Sequence, residues 1–123
     1  MNLNEYQEKA MSTCMPSCKN FSYMMLNLVG EVGELASKVA KSIRKDSSVI
    51  INNKLGNRYS PSEREKVVLY NEELKKEAGD ILWQLAGLCK VMGWSLEDVA
   101  QQNLDKLASR KERGVIDGNG DNR

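Results

Sequence analysis

The helical character of this chain is clearest in Met24-Met25-Leu26-Asn27-Leu28-Val29-Gly30-Glu31-Val32-Gly33-Glu34. Apolar side chains recur here at helical spacing and continue to Ile43, which predicts a long amphipathic helix from about Phe21 to Lys45. Glu31 and Glu34 interrupt the apolar pattern one turn apart, on one helix face. Because like charges at this spacing destabilise a helix by roughly a few tenths of a kcal/mol, the pair suggests a bound cation.

A second acidic pair, Glu77-Ala-Gly-Asp80, has the same spacing and precedes an apolar run from Ile81 to Ala86. Two such pairs on facing helices would offer four hard oxygen ligands, the kind that Mg2+ or Mn2+ accepts. A solvated helix face is the simpler explanation for either pair alone, but their repetition within apolar runs favours a metal site. Gly33 and Gly79 lie inside the pairs, and they suggest that a neighbouring backbone, a ligand or a tightly packed helix comes close.

The rest of the chain predicts an all-α helical bundle of four principal helices, in a single domain covering residues 1–123. The other three predicted helices cover Leu3 to Thr13 after an Asn2 cap, Ser60-Pro61-Ser62-Glu63 to about Met92 with Gly93 closing it, and Ser95 to about Gly114. A loop insertion at 46–60, with room for a brief strand, and a polar tail at 114–123 complete the chain.

The two long helices share one connection and are therefore expected to form an antiparallel hairpin that carries the metal site. At about 1.5 Å per residue, both acidic pairs fall at one level of this hairpin, to within about one turn. Asn27 and Gln84 extend the polar stripe on the two helices, whereas Lys38 and Glu73 are expected to face solvent.

Composition excludes several function classes. The 123 residues carry a net charge of +1 and contain no histidine. Histidine-based catalysis is therefore excluded, and so is the usual carboxylate-bridged redox centre, which needs Glu-x-x-His. With charges interspersed and no long apolar segment, neither a nucleic acid polymer nor a membrane is an expected partner, and we expect a cytoplasmic protein. Cys14, Cys18 and Cys89 are expected to be reduced; a Cys14–Cys18 disulfide and a zinc half-site are the alternatives.

The two acidic motifs resemble the ExxE and ExxD motifs of the MazG-like all-alpha nucleoside triphosphate pyrophosphohydrolases. The matching segments are Glu31-Val-Gly-Glu34-Leu35 and Glu77-Ala-Gly-Asp80-Ile-Leu-Trp83. Tyr6-Gln7, Asn103 to Arg110 and Arg113 to Arg123 are also similar to parts of this family. The resemblance covers most of the chain outside 46–70.

The resemblance implies a nucleotide pyrophosphohydrolase that cleaves a (d)NTP between its α and β phosphates, giving a (d)NMP and pyrophosphate. Glu31, Glu34, Glu77 and Asp80 would hold Mg2+, with Mn2+ as a substitute, and one of the glutamates would take a proton from a metal-activated water. The implied substrate-binding residues are Asn103, Lys106, Arg110, Arg113 and Arg123. An exposed basic helix end and a frayed terminus are the alternatives for these residues.

Two departures from the family concern the substrate. The acidic pairs are unusually far apart, so the insertion from Asp46 to Tyr70 is interpreted as a lid, a specificity loop or an oligomer contact. Glu73 stands where some relatives are basic.

A homodimer or higher homo-oligomer is expected, because the helical hairpin has more apolar faces than one chain can cover. The alternative functions are a non-enzymatic helical adaptor and a pyrophosphohydrolase of a modified nucleotide such as phosphoribosyl-ATP.

Overall fold

Four α-helices dominate the chain, as predicted. The computed structural model describes residues 1–45, 47–57 and 64–123, with 57 and 64–70 described as backbone only. Its elements are α1 (Leu3–Met11), a 3-10 turn (Pro16–Cys18), α2 (Phe21–Arg44), β1 (Ser48–Ile51), β2 (Lys54–Asn57), α3 (Arg64–Val91) and α4 (Leu96–Glu112). The all-α prediction is therefore confirmed. The predicted Ser60-Pro61-Ser62-Glu63 cap lies outside the described residues.

Side chains cap α1, α2 and α4 at their N-termini; at α2 the Asn20 side chain accepts a hydrogen bond of 2.8 Å from the backbone N–H of Tyr23. The Asn2 side chain accepts a hydrogen bond of 2.8 Å from the backbone N–H of Glu5 at the start of α1. Ser95 Oγ accepts one of 3.3 Å from the N–H of Asp98 at the start of α4. Each cap pairs a backbone donor that the first helical turn leaves unpaired, and this local chemistry sets where the helix begins.

Glycines end α3 and α4. Gly93 and Gly114 have φ of 74° and 69°, in the left-handed region that favours glycine. Beyond Gly93, the N–H of Trp94 returns to the carbonyl of Cys89 at 2.8 Å; beyond Gly114, Val115 N–H returns to Arg110 at 2.9 Å. These contacts form the Schellman arrangement, which pairs carbonyls at a helix end.

The insertion contains a short β-hairpin, which replaces the predicted loop over part of its length. β1 and β2 are antiparallel, with register from Ser48 opposite Asn57 to Ile51 opposite Lys54. Asn52 and Asn53 form the turn with φ of 53° and 59°. Two consecutive left-handed residues match the twist of a two-residue hairpin, and asparagine tolerates that conformation better than most residues do.

The hairpin of α2 and α3 forms the centre of the structure, and α1 packs beside it. One apolar cluster joins Met24 of α2 to Leu88 of α3, with Cys14 between the first two helices. Gly87 lies directly against the fully buried Met24 side chain, where any Cβ would collide with the methionine sulfur. The second cluster consists of Ala86, Cys89 and Leu96, against which Leu3, Tyr6, Met11 and Leu85 pack.

Gln7 links α1 to the turn between α3 and α4. It is 8% exposed. Its amide nitrogen donates to the carbonyls of Ala86 and Trp94 at 3.2 and 3.1 Å, and its oxygen accepts from Leu96 N–H at 3.1 Å. Because all these polar groups are paired, the buried amide stabilises the junction.

Many apolar side chains remain uncovered in a single chain. On α2, Leu26 is 73% and Val29 67% exposed; on α4, Leu96 is buried, whereas Leu104 is 60% exposed. All three cysteines are free. None of the described helices combines the length and apolarity that a bilayer span demands.

Candidate functional site

Three of the four predicted metal ligands meet between α2 and α3. Glu31, Glu34 and Glu77 each present a carboxylate oxygen, and the three oxygens lie within 4.8 Å of one another. Glu31 and Glu34 are one turn apart on α2, and Glu77 comes from α3 across the helix interface. The antiparallel hairpin therefore places the acidic motifs at one level, as their positions along the helices predict.

Two oxygens of this trio lack partners. Within the described residues, Oε2 of Glu31 and Oε2 of Glu77 are buried and accept no hydrogen bond. Burial raises the pKa of Glu31, and the neighbouring charges of Glu34, Asp80 and Glu77 raise it further, whereas a hydrogen bond from Asn27 lowers it. Such unpaired, mutually repelling carboxylates are unfavourable without a cation.

Asp80, the fourth predicted ligand, does not join the trio. Its side chain is exposed, and its charge is near enough to contribute to the raised pKa of Glu31. Burial and, second, the charge of Asp80 raise the pKa of the Tyr6 hydroxyl of α1. The exposed position of Asp80 leaves its charge in contact with solvent, apart from the other three carboxylates.

Asn27 and Gln84 connect the two long helices next to the trio. Asn27 Nδ2 donates to Gln84 Oε1 at 2.9 Å and to Glu31 Oε1 at 3.3 Å. Gln84 is 1% exposed. The predicted extension of the polar stripe through these two amides is therefore confirmed, and the pair orients one carboxylate of the trio.

Lys38 is not directed into solvent, contrary to the prediction. Its Nζ lies 2.6 Å from Glu77 Oε1, and its side chain is 39% exposed. The sequence contains a hint of this contact, because Lys38 follows Glu34 by four residues and therefore shares its helix face. Glu73 is exposed, as predicted.

The two glycines of the acidic motifs are not tightly packed in a single chain. No described atom lies within 4 Å of a Cβ built on Gly33 or on Gly79. Among the described residues, the alternatives of tight helix packing and of a close neighbouring backbone are therefore not met at these positions, and the alternative of a ligand stays a prediction. Both glycines face open space, where a ligand or another molecule has access.

The predicted phosphate-binding residues form a second cluster, on α4 and the tail. Asn103 and Lys106 line a groove of about 540 Å3 together with Trp94. In the part of the chain that the structure describes, no hydrogen bond or ion pair links Lys106, Arg110, Arg113 or Arg123 to the acidic trio.

Arg110 holds the tail against α4. The residue is 5% exposed, and its Nη2 donates to the Asp121 carbonyl at 3.0 Å and to the Asp121 carboxylate at 3.3 Å. Lys106 Nζ lies 3.6 Å from the same carboxylate. The hydrogen bond from Arg110 and the charge of Lys106 lower the pKa of Asp121. Lys106 and Arg110 thus bind an anionic oxygen, although here it belongs to the chain itself.

Arg113 and Arg123 order the tail. The Arg123 guanidinium donates to the carbonyls of Val115, Ile116 and Gly120 at 3.0, 3.2 and 2.5 Å. Arg113 Nη2 donates to the Arg123 carbonyl at 2.7 Å. The tail is therefore not frayed in this structure. Both guanidinium groups are engaged with its backbone.

The two tryptophans have different roles. Trp83 packs against the first apolar cluster and donates from Nε1 to the Ala10 carbonyl and to Thr13 Oγ1, at 3.1 and 3.0 Å. It is a core residue, as its helical pattern favours. Trp94 is 49% exposed beside the α4 groove and has a face available for stacking.

Comparison with known proteins agrees with this architecture. The model of the MazG nucleotide pyrophosphohydrolase domain matches residues 19–115, which include both acidic motifs and the whole of α4. The chain is also similar to the Gene 37 protein of Mycobacterium phage L5, with 38% identity over an alignment of 130 positions that spans the whole of both chains. Among solved structures there is no significant match.

Proposed function

Because the chain belongs to the MazG nucleotide pyrophosphohydrolase family, we propose that it hydrolyses nucleoside triphosphates to monophosphates and pyrophosphate in a Mg2+-dependent reaction. The observation that carries the proposal is the trio Glu31, Glu34 and Glu77, whose oxygens lie within 4.8 Å of one another. Two of these carboxylates have a buried oxygen with no partner among the described residues.

The trio fits a hard divalent cation. Mg2+ binds oxygen at about 2.0–2.1 Å, so ligands on opposite sides of one ion are about 4.2 Å apart. Adjacent ligands of an octahedral ion are about 3 Å apart, so the three oxygens, which lie within 4.8 Å of one another, have to move closer together to share one ion. We propose that Asp80 completes the site from the edge once the charge of the trio is neutralised. A cation bound here would polarise phosphate oxygens and lower the pKa of a bound water, and Mn2+ accepts the same ligands.

Lys106 and Arg110 are proposed to bind the polyphosphate. They already share the Asp121 carboxylate, and phosphate oxygens are acceptors of the same kind that carry more charge. Substrate would replace Asp121 at these two cations. Arg113 and Arg123 are proposed to act indirectly, by shaping the tail that lies over this position.

A homodimer is proposed as the working form. The exposed apolar side chains of α2 include Leu26 and Val29, and a second copy is the simplest partner that would cover them. We also propose a cytoplasmic location, because nucleoside triphosphates and Mg2+ are available there.

The exposed apolar face of α2 equally suits the alternative function, a non-enzymatic helical adaptor.

Pyrophosphate release from a nucleotide panel tests the proposal. The panel contains the common ribo- and deoxyribonucleoside triphosphates and phosphoribosyl-ATP, each assayed with Mg2+, with Mn2+ and with a chelator. We expect metal-dependent turnover that falls at least about a hundredfold in Glu34→Gln and Asp80→Asn. Glu112→Gln on α4 is the matched control, and circular dichroism verifies folding. Absence of turnover across the whole panel would favour the adaptor, and selective turnover of phosphoribosyl-ATP would favour the modified nucleotide.

A further inference from the structure

Lys38 contacts the acidic trio from the next turn of α2, although the sequence predicts that it faces solvent. It lies one turn beyond Glu34 on α2, and its ammonium contacts Glu77 Oε1 of α3 at 2.6 Å. The hydrogen bond to Glu77 raises the pKa of Lys38, and the charges of Glu73 and Glu34 raise it further. Among the described residues, Lys38 is the only cation within ion-pair distance of the acidic trio.

We propose that Lys38 is the internal counter-ion of this site and pairs with Glu77 in the metal-free protein. When a divalent cation binds to the trio, Lys38 leaves Glu77 and binds a phosphate of the substrate instead. This inference rests on the proposed function, since it assumes that the trio binds metal. Lys38 would be a positioning residue towards the metal, acting through Glu77.

The contact geometry favours a temporary partner over a permanent one. The Glu77 side chain is 11% exposed, so its charge needs compensation. Lys38 satisfies only one of its oxygens; the other, Oε2, is buried and unpartnered in the described structure. A single ammonium also leaves the charges of Glu31 and Glu34 unpaired. The site therefore keeps uncompensated negative charge, which a divalent cation would neutralise better than a single ammonium does.

Lys38 is able to move without disturbing the core. Its side chain is 39% exposed, and a lysine has a flexible stem with a point charge at its end. Because Lys38 lies one turn from Glu34, an ammonium released from Glu77 would stay close to the trio, and we expect it to bind a phosphate there. The same residue would then compete with the metal and assist the substrate, which gives the proposal two separable consequences.

Mn2+ binding without nucleotide tests the first consequence. Free Mn2+ is measured by electron paramagnetic resonance in wild type, Lys38→Gln and Lys41→Gln. Lys41 is the matched control, because it is an exposed lysine on the same helix and its loss removes the same charge. We expect Lys38→Gln to bind Mn2+ at least about threefold more tightly than Lys41→Gln does, since the competing ion pair is gone.

Steady-state kinetics at saturating metal tests the second consequence. We expect Lys38→Gln to raise KM for the nucleotide about tenfold or more with a smaller change in kcat, and Lys38→Arg to recover most of the loss. Lys41→Gln should leave both constants near the wild-type values. Thermal denaturation verifies that each variant is folded.

The outcomes separate this proposal from the one on which it rests. Equal Mn2+ affinity in Lys38→Gln and Lys41→Gln, with wild type binding the ion, overturns the role of Lys38 and leaves the metal centre intact. Failure of every variant and of wild type to bind Mn2+ overturns the metal centre, and the role of Lys38 with it. Tight Mn2+ binding that appears only in Lys38→Gln supports the counter-ion proposal.

Discussion

The Glu31 side chain shows the conflict between stability and metal binding in this site: it is a partly buried carboxylate among other negative charges. It is half-buried, accepts a hydrogen bond from Asn27 on one oxygen and has no partner on the other among the described residues. A neutral carboxyl group would suit this environment better than a carboxylate does. The metal-free protein therefore pays in stability for keeping a ligand in place.

This conflict predicts a pH dependence for the metal-free protein. Burial raises the pKa of Glu31 above its unfolded value, so the stability that the protonated form contributes is present at low pH and is lost as pH rises through the folded-state pKa. Glu31→Gln, which keeps the acceptor for Asn27, should therefore gain stability relative to wild type as pH rises from about 4 to 8. Urea denaturation in the presence of a chelator measures the difference.

Excess Mg2+ is the control for that experiment. A bound cation favours the ionised carboxylate, so wild type should recover or exceed the stability of Glu31→Gln when Mg2+ is added. A difference between the two proteins that does not vary with pH would contradict the assignment of a raised pKa.

Helix junctions depend on single polar side chains, and Gln7 is the strongest case. Its side-chain oxygen accepts a hydrogen bond from the N–H of Leu96 at the start of α4, and its side-chain nitrogen donates one to the carbonyl of Trp94 before that helix. We predict that Gln7→Met, which has similar volume, lowers the free energy of unfolding by about 1–3 kcal/mol because buried groups lose their partners. The exposed Gln102→Met should change it by less than about 0.5 kcal/mol. Chemical denaturation compares the two, and equal effects would refute the structural role of Gln7.

Two glycines of α3 should respond in opposite ways to a methyl group. At Gly79 an added Cβ meets open space, so Gly79→Ala should raise the free energy of unfolding by about 1 kcal/mol through helix propensity. At Gly87 the added Cβ would collide with the buried Met24 side chain, so Gly87→Ala should be destabilising. Thermal and urea denaturation measure both. Destabilisation by Gly79→Ala would reveal a surface that packs on this helix and is absent from a single chain.

The apolar surface of the whole molecule predicts its assembly. Leu26 and Val29 lie three residues apart on α2 and are mostly exposed, next to the open face of Gly33. We predict that the protein sediments as a dimer and that Val29→Glu shifts it towards monomer by at least about tenfold in dissociation constant, because a buried charge would lack a partner. Gln101→Glu on α4 adds the same charge elsewhere and should leave the dimer intact. A monomeric wild type would refute the prediction.

Local rules account for most of the architecture. Apolar spacing identified the long helices, and the Asn2, Ser95, Gly93 and Gly114 caps marked their ends, because each depends on contacts within a few residues. The level of the two acidic motifs also followed from local geometry, since a single connection between antiparallel helices and a constant rise per residue determine which turns face each other.

Side-chain pairing across the fold followed from no such rule. Three arrangements illustrate this: the contact of Lys38 with Glu77, the position of Asp80 outside the acidic trio and the ion pair of Asp121 with Arg110. Each depends on residues that lie on different elements of the fold. Long charged side chains have many rotamers, and charge and burial in three dimensions select among them. Periodicity along the chain contains no information on that choice, so only the assembled helices decide which acids are paired and which remain available to a cation.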